Sequence, residues 1–217
     1  MPEFAELRER MVKRQIESRG ITDPAILDAF RDVAREEFVD EEHRRFAYDD
    51  NPLPIEAGQT ISQPYIVALM IEAAGIRPGD EVLEVGAGSG YAAAVISRIA
   101  KRVVSIERHG ELAQIARERM ARLGYGNVRI LQGDGTRGCP DEAPFDAILA
   151  AASGSHVPKP LLDQLAPGGR LVMPVGDPGW VQELVKVTKR PDGTTSQENL
   201  GGVRFVPLIG EEGWSDG

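Results

Sequence analysis

The sequence predicts an α/β domain with a mostly parallel sheet, helices on both faces, antiparallel strands at the C-terminal end and an N-terminal helical extension. Two observations lead to this prediction. From Gly75 onward, short apolar runs alternate with stretches of helical periodicity, and a glycine-rich turn, Gly86–Gly90, follows the first of those runs. The length of 217 residues fits a single domain, 1–217, which we divide into residues 1–75 and residues 76–217.

The first fifty residues predict two helices. Apolar residues recur at roughly helical spacing as far as Ile16, and Gly20 ends this element. Asp23 followed by Pro24 has the pattern of an N-cap and a first helical residue, so a second helix begins there. The acidic run at residues 36–42 is expected to lie in solvent at a helix end.

Residues 47–62 combine two prolines and Gly58 with no regular period, and this pattern predicts an ordered loop. Pro64 then opens a third helix that extends to about Ala74. The residues of this helix that we expect to face the core are Ile66, Leu69 and Met70.

After Gly75 the periodicity switches between that of strands and that of helices. The predicted strands are 81–85, 103–106, 128–131, 145–150 and 170–175, and the predicted helices are 91–100, 111–123 and 158–165. Because these strands alternate with helices, the connections predict right-handed crossovers and a mostly parallel sheet.

The C-terminal part departs from this alternation. Residues 182–189 and 203–208 each predict a strand, and a turn signal at Pro191-Asp192-Gly193 lies between them. A strand, a turn and a strand without a helix predict antiparallel pairing at one edge of the sheet. Trp180 and Trp214 are expected to pack or to anchor the C-terminus.

Composition and charge argue against several classes of protein. Lys and Arg number 25 against 34 Asp and Glu, and the net charge of −9 opposes non-specific nucleic-acid binding. No apolar run approaches the roughly 18 residues of a membrane span, and the N-terminus lacks the apolar stretch of a signal peptide. A single cysteine suits a reducing compartment, and the three histidines lack metal-ligand spacing. We therefore expect a cytoplasmic protein with no metal site.

The glycine-rich turn between a strand and a helix predicts a ligand site at the carboxyl end of the sheet. Glu107 ends the next strand, where a carboxylate can accept both hydroxyls of a ribose. The spacing is G-x-G-x-G, and the third glycine of the dinucleotide fingerprint is replaced by Tyr91. No lysine follows, so the turn is not a phosphate-binding P-loop, and Ala87 breaks the G-x-S-x-G pattern of serine hydrolases around Ser89.

This G-x-G-x-G turn resembles the first motif of the Rossmann-like S-adenosylmethionine methyltransferases. Asp134, after the third predicted strand, resembles the acid that accepts a hydrogen bond from the adenine amino group in these proteins. Residues 145–148 and 167–171 resemble two later motifs in the same order. The resemblance implies a Rossmann-like core that binds S-adenosyl-L-methionine and releases S-adenosyl-L-homocysteine. The residues that it assigns to the cofactor are Gly86, Ala87, Gly88, Gly90, Glu107, Asp134 and Gly135.

A second motif lies upstream, where residues 51–54 lead into Gly58-Gln59-Thr60-Ile61-Ser62-Gln63-Pro64. This run resembles the signature of protein-L-isoaspartate O-methyltransferases, and residues 203–208 resemble their C-terminal strand. The resemblance extends from about Met11 to Gly210. Two departures are Glu56, where glycine is common, and residues 151–158, which replace an alanine-rich stretch.

The family resemblance implies methyl transfer to the free α-carboxylate of L-isoaspartyl residues in damaged proteins and peptides, which begins their repair through a succinimide. It implies that Ser62 is the catalytic residue and contacts the substrate together with Val206. Gln59, Thr60 and Ile61 would contact the cofactor as well. From its position alone, Ser62 is equally well explained as a cap of the helix that Pro64 opens. No membrane or nucleic-acid partner is implied, and we expect a monomer.

Three alternatives remain open at the level of sequence. The same core can methylate a small molecule or a different protein acceptor. It can also serve as a non-catalytic nucleoside-binding protein, in which a change at Ser62 has no effect. A nicotinamide-dependent oxidoreductase is disfavoured by Tyr91.

Overall fold

The computed structural model describes residues 3–216, so Met1, Pro2 and Gly217 of the predicted domain lie outside the described residues. Its α-helices are α1 (Phe4–Met11), α2 (Pro24–Asp32), α3 (Pro64–Ala74), α4 (Tyr91–Ser97), α5 (Gly110–Leu123) and α6 (Lys159–Asp163). Its strands are β1 (Leu53–Pro54), β2 (Thr60–Ile61), β3 (Glu81–Val85), β4 (Arg102–Glu107), β5 (Val128–Gln132), β6 (Phe145–Ala150), β7 (Leu165–Val175), β8 (Gln182–Lys189) and β9 (Thr195–Val203).

The main sheet has seven strands in the order β5-β4-β3-β6-β7-β8-β9. Pairing is parallel from β5 to β7 and antiparallel for β8 and β9. The strand order reverses between β3 and β6, because β4 and β5 lie on one side of β3 and β6 lies on the other. The carboxyl ends of strands at such a reversal leave a crevice in which ligands bind. The predicted α/β class with a mostly parallel sheet is confirmed.

The two faces of the sheet are covered unequally. Alternate residues of one strand enter different clusters, so Val82 packs with the N-terminal helices, α3, α4 and α5. The neighbouring Leu83 packs instead with Leu161 of α6 and Leu208 of the C-terminal segment. The predicted helices on both faces are confirmed, although the second face carries a short helix and the returning chain.

The N-terminal extension follows the predicted pattern. Asp23 caps α2 by accepting a hydrogen bond from Ala25 N at 2.8 Å, and Pro24 is the first helical residue. Gly20 ends the first element with φ of 99°, a left-handed conformation that suits glycine. Met11 and Phe30 belong to the same apolar cluster as strand residues of the main sheet, so the extension shares its core with the sheet.

The loop predicted at residues 47–62 contains a small hairpin that the sequence did not reveal. Strands β1 and β2 pair antiparallel, with Leu53 opposite Ile61, and the chain reverses through Ala57 and Gly58 at positive φ. Each strand has only two residues, which is too short for a readable alternation of apolar and polar positions.

Two further sequence predictions were wrong in position. The last strand is β9 at 195–203 and not 203–208, because the edge strand is polar while the apolar residues after it contact a cavity. By contrast, Ile66 and Leu69 of α3 are half-buried and pack against the core together with Met70, as predicted, and Val67, Ala68 and Ile71 are buried there as well. Predicted helix 91–100 ends as α4 at Ser97. None of the helices within residues 3–216 has the length and apolar character needed to cross a bilayer.

Candidate active site

A cavity of about 1010 Å³ opens at the carboxyl ends of β3 and β4. Three segments form its wall: the glycine-rich turn after β3, the stretch 59–63 before α3 and the stretch 202–209 after β9. The cavity therefore brings together residues from both halves of the chain. Its volume matches the range that accommodates a nucleoside ligand with part of a second molecule.

The glycine-rich turn forms one end of the cavity. Gly86, Ala87 and Gly88 lie on its wall, and Gly86 N donates to Ile106 O at 2.8 Å, which fixes the turn against β4. Gly90 is not on the wall. A Cβ there would lie 2.8 Å from Met120 Cε, so this glycine allows α4 and α5 to pack closely.

Glu107 holds the turn in place and faces the cavity. Its carboxylate is buried and accepts hydrogen bonds from Gly88 N at 2.8 Å and His109 N at 2.9 Å. Each carboxylate oxygen can accept a second hydrogen bond, so both remain able to bind hydroxyl groups of a ligand. The position predicted for a ribose-binding acid is thus occupied by a rigid carboxylate.

Glu84 is a second buried acid that the sequence analysis did not single out. It lies on the cavity wall, is 2% exposed and accepts a hydrogen bond from Ser105 Oγ. Burial, together with the nearby charge of Glu107, raises the pKa of Glu84 to about 8 despite that hydrogen bond. The sequence did carry a signal for this residue. A carboxylate occupies the penultimate position of an apolar strand, and that strand leads directly into the glycine turn.

Asp134 and Gly135 differ in their position relative to the cavity. Gly135 lies on the cavity wall, whereas Asp134 does not. The Asp134 carboxylate accepts hydrogen bonds from Thr136 N at 2.9 Å and from Glu211 N at 2.8 Å. Partial burial favours a higher pKa for Asp134, but these hydrogen bonds outweigh it and hold the pKa below its usual value. Gly210 packs directly over the carboxylate, since a Cβ there would lie 2.1 Å from Oδ1.

The segment before α3 forms the opposite wall. Gln59, Thr60, Ile61 and Ser62 all line the cavity, as predicted. The N-cap of α3 is Gln63, and no side chain caps this helix. The helix-cap explanation of Ser62 is therefore wrong, and its hydroxyl has no hydrogen-bond partner within residues 3–216.

Arg35 lies behind this wall and was also missed. It is fully buried and donates from Nε to Ala47 O at 2.7 Å and from Nη2 to Ser62 O at 2.8 Å. Its guanidinium lies 4.6 Å from the ring centroid of Tyr91, and Nη1 has no hydrogen-bond partner in the described part of the chain. Burial lowers the pKa of Arg35. One cation thus ties both ends of the 47–62 segment together.

The acidic run around Arg35 is not simply solvated. Glu36 is buried, where it accepts hydrogen bonds from the Tyr48 hydroxyl and from Arg8 Nη2. Burial and the hydrogen bond to Glu36 raise the pKa of the Tyr48 phenol above its ordinary range. The prediction of a solvated run was wrong for this residue, because the partners of Glu36 come from distant parts of the chain.

The C-terminal stretch completes the mouth of the cavity. Val206 lies there, and its carbonyl accepts a hydrogen bond from Ser153 N at 2.8 Å. Trp214 anchors the chain end as expected, with Nε1 donating to Ser153 O at 2.9 Å. Trp180 does not pack as expected, because it is 75% exposed at the rim of the cavity.

A strand order that reverses at a glycine turn, with Glu107 at the end of the next strand and antiparallel strands at one edge, is the architecture of the class I S-adenosylmethionine-dependent methyltransferases. Residues 6–213 match the family model described as protein-L-isoaspartate(D-aspartate) O-methyltransferase. The chain belongs to this family.

Individual relatives agree with the family match. The chain is 58% identical to protein-L-isoaspartate O-methyltransferase 1 of Rhodopseudomonas palustris (strain HaA2), over 98% of this chain and 86% of the relative. It is 56% identical to protein-L-isoaspartate O-methyltransferase 2 of Pelobacter propionicus, over 95% and 92%.

Solved structures of the family share the fold. One protein-L-isoaspartate O-methyltransferase superposes with a TM-score of 0.87 at 32% identity, covering 95% of this chain and 67% of the other. A second, from Plasmodium falciparum and in complex with S-adenosyl-L-homocysteine, has a TM-score of 0.80 at 27% identity, covering 93% and 98%.

Proposed function

We propose that this enzyme transfers the methyl group of S-adenosyl-L-methionine to the free α-carboxylate of L-isoaspartyl residues in damaged proteins and peptides, with Ser62 beside the acceptor. Membership in the family makes the chain an S-adenosylmethionine-dependent methyltransferase of isoaspartyl residues. The observation that supports the assignment of Ser62 is that one cavity joins the glycine turn to residues 59–63.

The cavity wall fits the cofactor. Gly86, Ala87 and Gly88 offer close backbone approach, and a Cβ at Gly88 would already touch Ile55 at 3.4 Å. Glu107 is placed to accept the ribose hydroxyls, and Gly135 lies beside it on the wall. The adenine contact that we predicted for Asp134 remains a proposal, and it would use Oδ2, which accepts only from Glu211 N, because Oδ1 already accepts from both the N–H and the hydroxyl of Thr136.

The acceptor requires little chemical activation. An α-carboxyl group ordinarily titrates with a pKa of about 3.5, so it is ionised at neutral pH and needs no general base. When bound, S-adenosylmethionine supplies an electrophilic methyl group on its sulfonium. A new bond forms between a carboxylate oxygen and this carbon while the carbon–sulfur bond breaks, and its electron pair stays on sulfur. The protein contributes position and exclusion of water.

Ser62 is the residue that we assign to the acceptor. Ser62 lines the cavity and its hydroxyl has no hydrogen-bond partner among residues 3–216, so it is available to donate a hydrogen bond to the carboxylate. Val206 would contact the substrate at the mouth of the cavity, while Gln59, Thr60 and Ile61 would contact the cofactor, with Thr60 and Ile61 at the place where cofactor and acceptor meet. The methyl ester would close to a succinimide with loss of methanol, and hydrolysis of the succinimide returns part of the damage to normal aspartate.

We further propose that the chain acts as a cytoplasmic monomer, folds as one domain and does not bind nucleic acid. The net charge of −9 and the single thiol, Cys139, support these assignments. Sedimentation at micromolar concentration is expected to give the mass of one chain, 23.6 kDa. A mass of two chains would contradict the monomer.

The central test is transfer of a labelled methyl group to an isoaspartyl peptide and to the aspartyl peptide of the same sequence. We expect label only on the isoaspartyl form. Ser62→Ala is expected to lower kcat/KM for this peptide by about 10- to 100-fold, which corresponds to a hydrogen bond to a charged group. Ser18→Ala is the matched control, because it removes the hydroxyl of an exposed serine outside the cavity, and it should retain full activity.

Two results would overturn the proposal. Equal labelling of both peptides would favour a different acceptor, and cofactor binding without any turnover would favour a non-catalytic binding protein. Full activity of Ser62→Ala would remove Ser62 from the site while leaving the reaction itself intact.

A further inference from the structure

Exposed apolar side chains are concentrated at the mouth of the active-site cavity. The large hydrophobic residues with substantial exposure are Phe4, Phe46, Trp180, Val181 and Val206. The last three all line the cavity, and Trp180 and Val181 are 75% and 60% exposed. Contiguous apolar groups at the rim of a site, edged by polar residues, mark a surface on which a partner binds.

The chain next to Trp180 is anchored by Gln182. Trp180 ends the turn between β7 and β8, and Gln182, two residues later, is buried. The Gln182 side chain accepts from Phe205 N at 2.8 Å and donates to Phe205 O at 3.3 Å. This amide therefore ties the turn that bears Trp180 to the segment that bears Val206. The two parts of the apolar surface are thus held next to each other.

The group that binds to this surface must belong to the same peptide as the acceptor carboxylate. Ser62 and the cofactor turn lie inside the same cavity, so a side chain adjacent in sequence to a bound isoaspartyl residue emerges at the mouth. Arg204 is exposed on the same wall and supplies a cation near an anionic acceptor. A peptide with an apolar residue next to the isoaspartate matches both features, whereas the deep part of the cavity is committed to the cofactor.

We propose that Trp180, together with Val181 and Val206, is a specificity surface that binds an apolar side chain flanking the isoaspartyl residue of the acceptor. This proposal rests on the isoaspartyl methyl transfer proposed above. An indole gives a large apolar contact at little cost in side-chain entropy, because it has only two rotatable bonds. The enzyme therefore methylates damaged sites beside apolar residues faster than sites beside small or charged ones.

The test compares isoaspartyl peptides that differ only in the residue before or after the isoaspartate, with leucine, phenylalanine or glycine at each place. The wild-type enzyme is expected to favour leucine and phenylalanine at one flank by about three- to tenfold in kcat/KM, the size of an aromatic contact. Trp180→Ala is expected to remove most of this ratio. Phe46→Ala, an exposed aromatic residue outside the cavity, is the matched control and keeps the ratio.

Each outcome separates the two proposals. If the wild-type enzyme labels isoaspartyl peptides without any flank preference, or if Trp180→Ala preserves the preference, the specificity surface is refuted and the methyl transfer stands. If no isoaspartyl peptide is labelled, the proposed function fails. Sedimentation of wild type and Trp180→Ala adds a check. If wild type sediments as a dimer and Trp180→Ala as a monomer, the surface is a contact between two copies of the chain and the proposal is overturned.

A direct measurement uses the two tryptophans of the chain. With S-adenosylhomocysteine present to block turnover, a leucine-flanked peptide is expected to shift the fluorescence of wild type to shorter wavelength, because Trp180 leaves water. The glycine-flanked peptide is expected to produce a smaller shift, and Trp180→Phe should abolish the difference between the two. Equal shifts with both peptides would contradict a contact between Trp180 and the flanking side chain.

Discussion

The two walls of the cavity differ in the structure that forms them and in the sign of their buried charge. The cofactor wall is made of backbone at the ends of parallel strands, and its buried charge is the carboxylate of Glu107, while the raised pKa of Glu84 keeps that acid mostly protonated at neutral pH. The acceptor wall is a hairpin with two-residue strands and a helix start, and the buried charge behind it is the guanidinium of Arg35. The Glu107 carboxylate lies on the wall assigned to a cofactor that carries a sulfonium, and Arg35 lies behind the wall assigned to a carboxylate acceptor. Local charges therefore match the two ligands, whereas the net charge of −9 does not.

The walls also differ in what holds them. The glycine turn continues the register of β3 and β4, so the sheet itself positions Glu107. The hairpin has no sheet to continue. Its position depends on Arg35, which bonds Ala47 O and Ser62 O, the two ends of the segment. The acceptor wall should consequently be the more sensitive of the two to a single substitution.

The largest effect is expected from removing that cation. Arg35→Met leaves two carbonyls unpaired and frees the segment that bears Ser62, and a displacement of about 1 Å can cost about 100-fold in rate. We expect kcat/KM for an isoaspartyl peptide to fall by about that factor. The dissociation constant of S-adenosylhomocysteine should rise by a smaller factor, because the sheet holds Gly88 and Glu107 and only the cofactor contacts proposed for residues 59–61 move with the segment.

Arg35→Lys is the matched control, since it keeps the charge but cannot bond both carbonyls with the same geometry. We expect it to recover part of the acceptor affinity. Circular dichroism and thermal unfolding would establish that both variants fold. An equal loss of cofactor and acceptor binding in Arg35→Met would show that the two walls are not independent.

A smaller effect, confined to the cofactor, is expected from Glu107→Gln. The amide presents a donor to one of the two backbone N–H groups, so a hydrogen bond to a charged group is lost and the turn loosens. Affinity for S-adenosylhomocysteine, measured by calorimetry, should fall by about 10- to 100-fold. Glu111→Gln, an exposed acid in the first turn of α5, should retain wild-type affinity. A comparable loss in Glu111→Gln would point to overall charge as the cause.

The last effect concerns the pH dependence of stability and not activity or binding. The pKa of Glu84 is raised to about 8 in the folded chain, mainly by burial, while the unfolded value is about 4.5. Between these values the folded state binds more protons than the unfolded state, so this residue makes stability decrease as pH rises. The contribution is fully present below the unfolded pKa and is lost by about pH 8.

Glu84→Gln removes this titration, so its free energy of unfolding should improve relative to wild type as the pH is raised from 5 to 8. Urea unfolding of both proteins at each pH measures the difference, and the other titrating groups cancel. A difference that is independent of pH would contradict the raised pKa.

The glycine turn and the position of Glu107 could be located from the sequence because their neighbours in sequence are also their neighbours in space. Residues 59–62 were assigned from the family resemblance, and they line the same cavity. Arg35 and Glu84 were missed, since burial gives them their chemistry and burial depends on distant segments. The exposure of Trp180 likewise depends on the tertiary structure, whereas β1 and β2 were missed because two-residue strands have no readable pattern.

By itself, the sequence determined the alternation of strands and helices from residue 81 to 175, the N-cap of α2 and the glycine turn before α4, because each depends on residues within a few positions of one another. The tertiary structure alone decided which charges are buried, where Asp134 points and what lines the mouth of the cavity. Glu36 shows the physical reason most clearly. Its neighbours in sequence predict a solvated carboxylate, whereas its contacts with Arg8 and Tyr48 exist only after residues 12 and 28 positions away fold against it.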